Sequence, residues 1–280
     1  MKRLLSALVH VALVSACAFA VYPLLWVVML ALSPTGPGGS ARLLPLASAP
    51  SLDNFRAVVG WGSAGASWLF ARQLANSLLV SLSTAFVAIV IATPAAYALA
   101  RFRFIGAKGG LRALLATQMF PAVASAVPLY LLLDVLHLLD SRTGLILVYA
   151  STAVPFAIFQ LRGAFLAIPV DIEEAAMVDG ASRARAFFLV VLPAARPALA
   201  VTALFAFMSA WNEFILAATL LSKKTAYTLP VVIQSYVQEQ STSWGPFAAS
   251  AILVSVPVMA LFYVAQRQLV SGLTAGGVKG

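Results

Sequence analysis

Charge and cysteine are both scarce in this sequence. Cys17 is the one cysteine among 280 residues, which excludes an intrachain disulfide and a thiolate metal cluster. Only 10% of the residues are charged, against roughly 25% in an ordinary soluble domain. So few charges cannot cover a water-facing exterior. With 62% hydrophobic residues and a mean hydropathy of +0.96, most of the surface must face lipid. The two histidines, His10 and His137, stand far apart and without metal-ligand spacing, so no metal site is expected. Ser15, Ser81 and Ser83 lie in apolar stretches with no base close in sequence, which argues against nucleophilic catalysis. A glycine-rich phosphate loop ending in Lys-Ser or Lys-Thr is missing too. The chain therefore reads as neither an enzyme nor an ATPase.

What charge there is leans one way: eighteen Lys and Arg against nine Asp and Glu, a net +9. A nucleic-acid-binding protein would show a basic face with polar or aromatic contacts, and none is visible, so no nucleic acid partner is expected. The positive-inside rule accounts for the excess. At roughly 20 residues per crossing, the apolar runs make six spans. They fall at about 11–32, 74–99, 111–133, 144–161, 199–221 and 247–269. With the N-terminus inside, Lys2, Arg3, Arg101, Arg103, Lys108, Arg112, Arg162, Arg183, Arg185, Arg196, Arg267 and Lys279 lie on the cytosolic side. Arg42, Arg56, Arg72, Arg142, Lys223 and Lys224 lie outside, which favours cytosolic termini. The context of Cys17, Val14-Ser15-Ala16-Cys17, loosely resembles a bacterial lipid-attachment site. The apolar run continues to Leu32, however, and so reads as a retained first span.

Pro94, Pro121, Pro128, Pro155 and Pro257 fall within the second, third, fourth and sixth spans. Proline removes a backbone donor, and in lipid the freed carbonyl must be satisfied by neighbouring helices or water. A packed bundle around a cavity would do this; the general tolerance of membrane helices for proline accounts for part of it.

One stretch breaks the hydrophobic pattern. Residues 168–182, between spans four and five, hold four of the nine acidic residues: Asp171, Glu173, Glu174 and Asp179. The spacing predicts a short helix with Asp171 and Glu174 as a capping box and Gly180 as its left-handed end. Ile172, Ala175, Ala176 and Asp179 would share one face. A second short helix is expected from Arg183 to Leu192, stopping at Pro193. Such an element is either a plug for a partner's socket or a surface cover for the inner end of the bundle.

Here Glu174-Ala175-Ala176, Asp179-Gly180-Ala181, Leu192-Pro193 and Pro197 resemble the EAA loop of ABC-importer permeases. Three further stretches resemble the MalG-like permease subunits of carbohydrate importers: Asn76-Ser77-Leu78, residues 96–102 and residues 210–214. So does the tail, Gly272 to Gly280. The resemblance implies an all-α polytopic membrane protein with the type I ABC-importer permease fold, in a bacterial cytoplasmic membrane. Residues 1–71 would hold the first span and external loop, 72–270 the permease core with the coupling loop at 165–197, and 271–280 the cytosolic tail.

The resemblance also implies roles. Glu173, Glu174, Ala175, Ala176, Asp179, Gly180, Ala181, Leu192 and Pro193 would dock on a cytosolic ATPase. Gly272, Thr274, Gly276, Gly277 and Lys279 would reach the same partner from the tail. ATP and magnesium would sit on two ATPase subunits, with no cofactor on this chain. A second, MalF-like permease and an extracytoplasmic binding protein or lipoprotein complete the expected complex.

The substrate would be a sugar, such as a maltose- or trehalose-like glycoside. Other cargoes remain open, namely a glycerol phosphate, a polyol or another small solute. A secondary transporter or an intramembrane enzyme would call for paired mid-membrane charges or inverted repeats, which are not visible. Asn212 and Glu213, midway along the fifth span, are costly in lipid and therefore candidates for the substrate pathway. Trp211 or Phe214 would stack on a sugar ring, and Gln118 and Tyr130 are weaker candidates. The competing reading assigns these residues to helix packing or gating.

Overall fold

The computed structural model describes residues 2–33, 50–60, 66–237 and 242–277. Its elements are helical, and among the described residues β-pairing is limited to one bridge between Val237 and Thr242. Four helices are long and apolar enough to cross a bilayer: α1 (Lys2–Leu32), α3 (Ala66–Arg101), α6 (Arg142–Ala167) and α13 (Trp244–Gly277). Two bent pairs meet the same test jointly. One is α4 (Ala107–Gln118) with α5 (Ala122–Val135), bent by 100°; the other is Arg183–Ala194 with α10 (Arg196–Trp211), bent by 73°. Counting each bent pair as one span gives up to six.

The sequence suggests an unbroken third span, and here the structure differs. The helix stops at Gln118 and restarts behind Pro121, whose backbone is extended at φ −62° and ψ 128°. Proline disfavours helical geometry in the residue before it, so the chain turns there. Pro94, Pro128, Pro155 and Pro257 lie inside helices as expected, and so does Pro23 in α1. The expected fifth span is also interrupted, between α10 and α11 (Ile215–Leu220).

The segment after Pro50, read from sequence as loop, contains a short helix, α2 (Asp53–Val59). The Ser51 hydroxyl accepts from the Asp53 amide at its start, and Gly60 ends it at φ +71°. Most of the long external connection, including Arg42, lies outside the described residues. The last helix runs beyond the expected end at Leu269, so Gly272, Thr274, Gly276 and Gly277 are helical in backbone; Lys279 lies outside the described residues.

The helices form two compact units, Met1–Arg72 with Val231–Pro257, and Gln73–Pro230 with Val258–Gly280. In the first, Ala31, Val58, Ala248 and Ala249 form a small core flanked by Val27, Leu30 and Phe55. Asn54, 1% exposed, donates from Nδ2 to the carbonyls of Ala31 and Ser33 at 2.9 and 2.7 Å, tying α2 to the end of α1.

In the second unit α3 turns mostly small and polar residues inward. The buried face of α3 carries Asn76, Ser77, Ser81, Thr84, Ala88, Ala92 and Ala96, while Leu79, Leu82, Phe86 and Val90 point outward. In lipid, large apolar side chains gain nothing by hiding, whereas small and hydroxylated ones let backbones approach closely. This face carries Ala92, Ala96 and Tyr97 into a core with Ala157, Leu161, Phe165, Phe187 and Val191.

Candidate functional site

The acidic segment forms α7 (Val170–Val178), as the sequence suggests, but its start is built differently. Pro169 is the N-cap, and no side chain caps the helix. The capping box between Asp171 and Glu174 therefore does not form: the helix begins early enough to place Asp171 inside its first turn. There it still meets the positive end of the helix dipole.

The C-terminus follows expectation. Gly180 sits at φ +90°, its amide donating to the Met177 carbonyl at 3.1 Å and the Ala181 amide to Ala176 at 3.0 Å. This is the Schellman ending, in which a left-handed residue satisfies the last carbonyls. The second short element begins at α8 (Arg183–Ala186), where the Ser182 hydroxyl accepts from the Arg185 amide. It continues through a π-helical turn at Phe187–Val191 into α9 (Leu192–Ala194).

The two glutamates of the motif face opposite ways. Glu174 is exposed, with Ile172, Ala175, Val178 and Asp179, while Ala176, Ala181, Leu192 and Pro193 are half-buried. Glu173 turns inward and is 4% exposed. Its Oε2 accepts from Arg101 Nε at 3.0 Å, and its Oε1 from the Tyr97 hydroxyl. Arg101 also donates from Nη2 to the Ile168 carbonyl at 2.9 Å, so one guanidinium grips both α7 and the end of α6 just before it. Both side chains of the pair are nearly dry, at 7% and 5% exposure. Tyr97 is fixed by rings from Phe102, Phe165 and Phe187 at 5.9, 5.9 and 4.4 Å. Within this chain Glu173 anchors the element, and the outward surface belongs to Glu174 and its neighbours. Sequence reasoning missed Tyr97 and Arg101 as members of this cluster; both lie in the stretch that resembles the importer family, 76 and 72 residues from Glu173.

The mid-membrane candidates separate in the same manner. Between α10 and α11 the backbone leaves the helix at Asn212–Phe214. A helix start exposes amides without partners, and in lipid something must accept from them. Glu213 does so: its Oε1 accepts from the Leu216 amide at 2.8 Å and its Oε2 from Ala217 at 3.0 Å. The Tyr149 hydroxyl adds a third bond, to Oε2 at 2.7 Å, from α6.

Trp211, 2% exposed, stacks on Phe207 with ring centres 5.4 Å apart, so it offers no open ring face. Asn212 is exposed and donates to the Met208 carbonyl, while Phe214 is half-buried. Gln118 is exposed beside α6, donating to the Thr152 carbonyl at 3.1 Å, and Tyr130 is also exposed.

A third polar cluster lies at the other end of α3. Gln73 Nε2 donates to the Lys224 carbonyl at 2.9 Å, and Asn76 Nδ2 to those of Thr225 and Tyr227, each at 3.0 Å. Arg142 Nε donates to Asn76 Oδ1 at 2.7 Å, and the Ser77 hydroxyl accepts from the Leu229 amide at 2.7 Å. Asp140 holds the start of the same segment by accepting from the Ser222 and Lys223 amides. The signal in sequence is three polar residues at i, i+3 and i+4 opening an apolar span; what they bind, some 150 residues away, has no local signature.

Residues 88–274 match the family model described as the binding-protein-dependent transport system inner membrane component. The chain is 37% identical over 264 residues to the trehalose transport system permease protein SugB of Mycobacterium tuberculosis, covering 94% of this chain and 93% of that one. It is 36% identical over 289 residues to the maltose/maltodextrin transport system permease protein MalG of Vibrio parahaemolyticus, covering 97% and 95%. Among solved structures, a bacterial ABC transporter involved in the import of the acidic polysaccharide alginate matches with a TM-score of 0.77. That match covers 95% of this chain and 96% of the other, at 24% identity, and bears on the fold alone.

Proposed function

We propose that this chain, which belongs to the family of binding-protein-dependent transport system inner membrane components, conducts a di- or oligosaccharide as one of two permease subunits of its importer. It is a multi-pass permease subunit of an ABC importer in the bacterial inner membrane, and it is not itself an enzyme. The sugar assignment rests on one observation, the nearly full-length likeness to permeases named for trehalose and for maltose and maltodextrin. The assembly would add a second permease, two ATPase subunits holding ATP and magnesium, and an extracytoplasmic binding protein.

The outward face of α7 is the proposed seat for the ATPase. It is compact and held from behind by Glu173, and it ends in a fixed turn at Gly180, so a push on it is not absorbed by its own bending. The helical segment 272–277 is the second proposed contact. Asn212, Gln118 and Tyr130 remain the proposed pathway residues on the strength of their exposure.

Affinity purification of the chain from its native membrane in mild detergent, followed by mass spectrometry, tests the assembly. Recovery of an ATPase, a second permease and a binding protein is the expected result; the binding protein is then titrated with maltose, trehalose and longer glucosides. A chain that comes away alone under conditions where known importers survive would overturn the reading.

A further inference from the structure

Building on the permease reading above, we propose that α3 acts as a strut carrying movement of α7 to the segment 222–229, with Glu173 and Asn76 as positioning residues at its two ends. At one end the last residue of α3, Arg101, is bonded to Glu173 on α7 and to the Ile168 carbonyl that precedes it. Two bonds on either side of the bend into α7 hold that helix in angle as well as position. At the other end Gln73, Asn76 and Ser77 bond four successive points of the chain: Lys224, Thr225, Tyr227 and Leu229. Between Asn76 and Arg101 lie roughly 35–40 Å of helix, enough to span the hydrocarbon core.

Helix contacts in lipid have little hydrophobic force behind them, and apolar surfaces can slide on one another. Register is therefore held by the polar bonds, and in α3 these gather at the ends. The helix beside it is tied at both levels as well: Arg142, opening α6, donates to Asn76, and Arg162, near its close, donates to the Leu99 carbonyl at 3.3 Å. The two helices form one rigid pair. A displacement of α7 by an ATPase thus reaches 222–229 without any change of rotamer along the way.

The test uses the assembled complex carrying Cys17→Ser and Lys224→Cys, with an environment-sensitive fluorophore on the new thiol. Lys224 is exposed, while its backbone carbonyl keeps the bond to Gln73. The readout is the fluorescence response to ATP and magnesium, normalised to the ATPase bound. A response is expected in this parent complex, and at least a fivefold smaller one in Glu173→Gln and in Asn76→Ala. A role confined to folding would lower the yield of complex and leave the normalised response unchanged, which would overturn the strut.

A parent complex that binds ATPase and shows no response at position 224 would overturn it equally. Should Glu173→Gln lose the ATPase altogether, Asn76→Ala decides the matter from the end remote from α7. If the parent chain recovers no ATPase at all, the permease reading itself falls and the strut with it.

Discussion

Gly180 and Glu213 show what single residues contribute. Beyond its chain neighbours, no heavy atom lies within 4 Å of a Cβ placed at Gly180, so the main penalty there is conformational. At φ +90° a β-branched residue is strained by about 1–2 kcal/mol, while asparagine tolerates left-handed geometry far better. Gly180→Val is expected to cut the recovery of co-purified ATPase several-fold, and Gly180→Asn to keep most of it. Equal losses in the two would place the defect elsewhere.

Glu213 accepts three hydrogen bonds, two of them from amides that have no other acceptor at the start of α11. Glu213→Ala leaves those donors unsatisfied and is expected to lower stability by about 1–3 kcal/mol, read as a fall in the thermal midpoint in detergent. Glu213→Gln should fall by less, since the amide oxygen still accepts. A variant that melts like wild type and transports with a raised KM would return Glu213 to the list of sugar contacts.

At the scale of elements, the start of α13 and α2 are matched through one glycine. A Cβ on Gly245 would stand 2.6 Å from both terminal atoms of Asn54, whose Nδ2 holds the end of α1. Gly245→Ala is expected to cost about 1–2 kcal/mol by dislodging that amide, and Asn54→Ala a similar amount. Because both act on the same bonds, the double variant should fall well short of the sum, measurable by a thermal-shift cycle.

Helices of this kind were legible in the sequence wherever hydropathy and a boundary signal agreed, as at Arg101 for α3 and at Gly180 for α7. The breaks were harder. Pro121 and Pro128 look alike in sequence, yet the chain turns at one and stays helical through the other. The break before α11 carries no proline at all: Glu213 makes it possible by accepting from the exposed amides, a role that a lone mid-span carboxylate does not announce. The pairing of Glu173 with Arg101 was invisible for a related reason, since the charges are far apart in the chain and either glutamate could have turned inward.

Over the whole molecule, surface character follows the solvent each part meets. Lipid accepts Phe86 and Val90, and the inward face of α3 takes mostly alanines, serines and threonines. Charge is concentrated where water or a partner can receive it, and Glu174 on the open side of α7 is the sharpest case. Glu174→Lys leaves every bond of the Glu173 cluster in place, so membrane insertion and helix content should be normal. Uptake by cells is nevertheless expected to drop at least tenfold, with loss of bound ATPase. Normal uptake at normal expression would mean that docking does not use this face.

The first helix has a bearing on how the protein is made. From Leu8 to Leu25 every residue of α1 is exposed, so this span reaches its own subunit's interior only at its end, where Val27, Leu30 and Ala31 meet α2 and α13. A newly inserted copy therefore leaves most of that helix to lipid. The long lipid-facing stretch of α1 is the natural handle by which membrane quality control would recognise a misassembled copy.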